Sequence, residues 1–68
     1  MKTTYRGCEI EVIREDGVLF FNVFDDGFEV TSGFSESSDT VRDFIKGLKE
    51  SVDDYREHPE DYINYIDI

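Results

Sequence analysis

The chain reads as an α+β domain, a three-stranded antiparallel β-meander followed by one long amphipathic α-helix packed on the sheet, with a short C-terminal tail. Three observations predict it. Two runs of alternating apolar and polar residues flank one run that is apolar on both faces. Asp-Gly pairs, Asp16-Gly17 and Asp26-Gly27, separate the runs with residues suited to tight hairpins. From Val41 to Tyr55, apolar residues recur at steps of three and four, the signature of a helix with one buried face.

The first strand is expected over residues 4–14, with Cys8, Ile10 and Val12 on its core side and Glu9 and Glu11 outward. The second, over 18–24, is Val-Leu-Phe-Phe-Asn-Val-Phe, apolar on both sides except Asn22, which suits a central strand. Alternation returns over 28–34, placing Phe28, Val30 and Phe34 inward and Glu29 and Thr31 outward. The polar stretch Ser35–Thr40 then offers Ser38 or Asp39 as the N-cap of a helix over 39–57. Val41, Phe44, Ile45, Leu48, Val52 and Tyr55 line its buried face. Pro59 cannot continue the helix and restricts His58, so the helix should stop near Glu57. The apolar tail, 59–68, fits either one helical turn after Pro59 or an extended segment on the sheet.

These elements make residues 1–68 a single domain, with a core too small to be very stable unaided. Cys8 is the only cysteine, which excludes an internal disulfide, and one Cys with one His cannot build a four-ligand zinc site. No cofactor or metal is expected. A three-stranded sheet under one helix has a second face to cover. Val18, Phe20 and Phe24 of the second strand lie on one side, and Leu19, Phe21 and Val23 on the other. Leu19, Phe21 and Val23 are expected on the face the helix leaves open, where the tail, a second copy in a homodimer, or a target protein could cover them.

Charge is the main functional clue. Seventeen Asp and Glu against seven Lys and Arg leave a net charge of −10, whose self-repulsion costs a small fold stability. A basic partner is the natural counterpart, and the charge argues against nucleic acid or an anionic membrane as the direct one. No apolar run approaches the length of a membrane span, and residues 1–5 form no apolar leader, so a cytoplasmic location is expected. No catalytic grouping is present: His58 lacks a partner, Cys8 reads as core, and paired carboxylates have no deep pocket in so small a fold. The chain is therefore not expected to be an enzyme.

The candidate binding residues lie on the solvent side of the helix and beyond it: Asp43, Glu50, Asp53, Asp54, Glu57, Glu60 and Asp61, with Tyr62 and Tyr65 as aromatic anchors. Like charges one turn apart weaken a helix, and acids near its C-terminus oppose the macrodipole. Charge set against local stability points to a surface under functional demand. Glu9, Glu11, Glu29, Asp25 and Asp26 make a second acidic set on the sheet, the three Glu read first as its solvated face and Asp25-Asp26-Gly27 as a hairpin turn.

Tyr5-Arg6-Gly7-Cys8-Glu9-Ile10-Glu11, followed by a hairpin, Ser38–Lys49 and Val52-Asp53-Asp54-Tyr55, resembles short acidic bacterial and prophage proteins of unassigned function. In size and acidity, though not in motif, the chain is also similar to phage-encoded anti-CRISPR proteins that mimic DNA. That resemblance implies a bacterial host cell and a basic, nucleic-acid-binding partner, a CRISPR surveillance complex, whose DNA-binding surface the acids would block. The alternatives are a small cytosolic assembly module working through an apolar sheet face, as a homodimer, and an antitoxin-like regulator.

Overall fold

The computed structural model describes residues 1–63. It has a four-stranded antiparallel sheet, β1 (Lys2–Tyr5), β2 (Cys8–Glu15), β3 (Val18–Asp25) and β4 (Phe28–Ser35), in sequential order, then α1 (Val41–Glu57) and the short α2 (Glu60–Ile63). The expected α+β class holds, with one more strand than the sequence suggested. The segment read as a single strand over 4–14 folds back at Arg6-Gly7 and pairs Tyr5 with Cys8 and Lys2 with Glu11. All three hairpins use two-residue turns with positive φ at both positions, Arg6-Gly7, Asp16-Gly17 and Asp26-Gly27, as type I′ turns require. Arg is a poor advertisement for such a turn, so only Gly7 marked it.

The core is one layer between sheet and helix. Cys8, Ile10 and Val12 of β2 meet Leu19 and Val23 of β3, Val30 of β4, and Ile45, Leu48, Val52 and Tyr55 of α1, all buried. Burial pushes the Cys8 thiol above its ordinary range, as an apolar site does to any thiol. Phe21 lies on the same side and packs on Phe44, with ring centroids 5.2 Å apart. Contrary to expectation, the helix itself covers the face bearing Leu19, Phe21 and Val23, and the open face is that of Val18, Phe20 and Phe24.

A β-bulge changes the third alternating run. Phe24 pairs with Glu29 but Val23 pairs with Thr31, so Val30 is an extra residue on β4. Every side chain beyond it changes sides. Phe34, expected inward, stands opposite Phe20 on the open face and is 70% exposed, while Thr31, expected outward, is half-buried opposite Val23.

Thr40 caps α1, its Oγ1 accepting from the Asp43 backbone N–H at 3.1 Å, one or two residues later than the caps expected. The Arg14 guanidinium holds the preceding loop by donating to the carbonyls of Ser37 and Asp39. The helix stops at Glu57, before His58-Pro59, as expected. After Pro59 the chain makes the helical turn α2, one of the two conformations considered for the tail. No helix among the described residues is long and apolar enough to cross a membrane.

Candidate binding surface

Helical geometry sorts the acids of α1 into two groups. Asp43, Glu50, Asp54 and Glu57 follow one another at steps of seven, four and three, which puts them on one outward line, and all four are exposed. Glu60 and Asp61, also exposed, prolong the acidic surface onto α2. Asp53 is turned sideways toward the first hairpin. It accepts from Arg6 Nη1 at 2.8 Å and from the Tyr5 hydroxyl at 3.0 Å, so it ties α1 to β1 instead of standing free. Those two donors, Arg6 first, hold its carboxyl below the usual range.

Asp54 lies on the outward line but accepts from the Tyr62 hydroxyl at 2.7 Å. That bond, more than burial, pushes the Tyr62 phenol up to about 12. Tyr62 is not a freely exposed anchor, since its half-buried ring meets Tyr55 edge-on at 5.3 Å. Tyr65 lies outside the described residues.

Sequence reasoning missed the centre that fixes the orientation of the helix. Asp25, at the end of β3, receives both terminal nitrogens of Arg56, at 3.0 and 3.1 Å, and the Tyr55 hydroxyl at 2.8 Å. Arg56 also donates to the Arg6 carbonyl through Nε and Nη2, at 3.1 and 2.8 Å. A Cβ at residue 7 would come within 3.0 Å of Arg56 Nη2, so Gly7 serves both the turn and the approach of this guanidinium. The Tyr55 and Arg56 donors lower the Asp25 carboxyl, while burial foremost raises the Tyr55 phenol.

Two of the seven basic side chains, Arg6 and Arg56, are thus engaged with Asp53 and Asp25. Arg42, Lys46 and Lys49 lie on another flank of α1, where with Met1, Thr3 and Ile45 they line an open groove of about 320 Å³. Lys49 also sits 5.4 Å from the centre of the Tyr5 ring. Lys46, one turn from both Asp43 and Glu50, interrupts the outward line, so its unbroken acidic part runs from Glu50 through Asp54 and Glu57. His58, Glu60 and Asp61 bring potential metal-ligand atoms within 4.8 Å of one another, but all three are exposed on a single short turn, and no assignment rests on them.

The chain matches no family model, no curated protein and no solved structure.

The perturbed groups set a pH dependence. The folded values of Asp25 and Asp53 lie below the unfolded value of about 3.9. Their contribution is complete above that pH and is lost as pH falls through the lowered folded values. Tyr62 has the opposite sign: its contribution is present below about 10 and is lost as pH rises toward about 12. Melting temperature should therefore drop at both ends. The Asp25→Asn, Asp53→Asn double variant should flatten the acid side, and Tyr62→Phe should lessen the alkaline drop, to which the raised Tyr5 and Tyr55 phenols also contribute; limbs unchanged from the parent would show that other groups control them.

Proposed function

We propose that the chain is an acidic protein-binding inhibitor that occupies the basic, nucleic-acid-binding surface of a partner. Following its likeness in type to anti-CRISPR proteins, the specific reading is competition with target DNA for a CRISPR surveillance complex in a bacterial cell. The observation that carries it is the exposed line Asp43, Glu50, Asp54, Glu57, prolonged by Glu60 and Asp61. At a rise of about 1.5 Å per residue the line is about 21 Å long, a length comparable with about six phosphates of one strand at 3.4 Å each along the axis, with Lys46 between its first two acids.

The mechanism is displacement. Carboxylates held on a capped helix present negative charge to Lys and Arg that otherwise bind phosphates, and the acidic field speeds the encounter at low salt. Asp43, Glu50 and Glu57 make no side-chain hydrogen bond to another described residue, so their charge is available to a partner. Asp53 belongs instead to the internal frame.

The test begins with retention from a lysate of a CRISPR-bearing bacterium at low and high salt, followed by DNA competition on the purified retained complex. Release at high salt, displacement of DNA by the chain, and at least about tenfold weaker displacement by the Asp43→Lys, Glu50→Lys, Glu57→Lys variant are expected. Retention of no nucleic-acid-binding protein, or equal competition by that variant, would remove this reading.

A further inference from the structure

On the open face of the sheet an apolar row lies between Glu15, opposite Val18 at one end, and a set of acids at the other. Register places Ile13, Phe20 and Phe34 in one row across β2, β3 and β4, exposed by 48%, 43% and 70%. The rings of Phe20 and Phe34 lie 6.3 Å apart, centre to centre. Toward the other end, Phe24 stands between Glu9 and Glu29, and Asn22 between Glu11 and Ser32. Lys2, opposite Glu11, is the only basic residue that the register directs to this face.

The bulge makes this arrangement, because without the extra residue Val30 the alternation of β4 would carry Phe34 under the helix. Strand spacing separates Glu9 from Glu29 by about 10 Å across Phe24, and Glu9 from Glu11 by about 7 Å along β2. A cation entering there can approach two carboxylates at once.

We propose that this face is a second docking surface, which takes a basic amphipathic segment of a partner protein. The segment's apolar side chains seat on Phe20 and Phe34, and its Lys or Arg side chains lie among Glu9, Glu11 and Glu29. The surface uses the layer opposite α1, so it stands or falls separately from the helix line, although both favour a basic partner. Charge argues against a second copy as the occupant, because a symmetric contact would press Glu9, Glu11 and Glu29 of two chains, each carrying −10, toward one another.

The probe is a short synthetic peptide of alternating Lys and Leu, with alternating Glu-Leu and Lys-Ser peptides as controls. Affinity is measured by calorimetry and the contact is mapped by backbone amide shifts. Binding of the Lys-Leu peptide alone is expected, with shifts on β2, β3 and β4. Phe20→Ser with Phe34→Ser should weaken it at least about tenfold, and the exposed Phe34→Ser alone serves if the pair disturbs folding. Glu9→Gln, Glu11→Gln, Glu29→Gln should weaken binding and flatten its salt dependence, whereas Asp43→Lys, Glu50→Lys, Glu57→Lys should leave the sheet shifts in place. The proposal is overturned by unchanged affinity in the sheet variants, or by shifts confined to α1. It is equally overturned by a native dimer that Phe34→Ser makes monomeric, which assigns the face to a second copy. Peptide binding that occurs only after deletion of residues 64–68 would assign it to the chain's own C-terminal segment.

Discussion

Tyr55→Ala is expected to cost about 3–5 kcal/mol, the range for removing a large buried ring. For 68 residues at about 0.05–0.15 kcal/mol each, total stability is about 3–10 kcal/mol, so the loss takes about a third or more of it and unfolds the variant if the parent lies at the lower end. Tyr55 is 7% exposed and joins three parts of the molecule. Its ring stacks on Phe28 of β4 at 6.2 Å, receives Tyr62 of α2 edge-on, and lies 5.3 Å from the Arg56 guanidinium. Its hydroxyl donates to Asp25. Tyr55→Phe keeps the ring contacts and leaves Asp25 with Arg56, so a much smaller loss is expected. Urea unfolding gives both values. A Tyr55→Ala variant within about 1 kcal/mol of the parent, below any large-to-small core cost, would deny the residue this joining role.

Ile10→Ala is the second large expected effect, about 2–5 kcal/mol. Ile10 is fully buried as the third residue of β2, paired with Thr3 on one side and Val23 on the other. Strands hydrogen-bonded on both sides cannot easily collapse inward to fill the space, which favours the upper part of the range. Ile13→Ala, on the same strand but 48% exposed on the open face, makes the internal comparison. Equal losses at the two positions would mean that the assigned sides of β2 are wrong.

The helix, its buried face and the two Asp-Gly hairpins were legible because each is written in local spacing or in a residue pair with one dominant backbone preference. The outward acids were legible for the same reason: the steps from Asp43 to Glu57 need only helical geometry. Three features were not. The Arg6-Gly7 turn lacked the Asn or Asp that usually announces positive φ at the first position. The bulge falls at Val30-Thr31, two good strand formers that carry no mark of an extra residue, so the side taken by Phe34 could not be foreseen. Asp53 and Asp25 were hidden because their partners, Arg6 and Arg56, lie 47 and 31 residues away in sequence. Which acids are spent inside the frame is a tertiary fact.

The sheet order has a kinetic consequence. Every strand pairs only with its neighbours in sequence, through three two-residue turns, so each hairpin closes a minimal loop and can form before anything distant is in place. The most distant side-chain ties are those that bring Asp53 and Arg56 of α1 to the first hairpin, 47 to 50 residues away. Loop-closure entropy therefore favours zipping of the hairpins ahead of the long closure that orients the acidic helix.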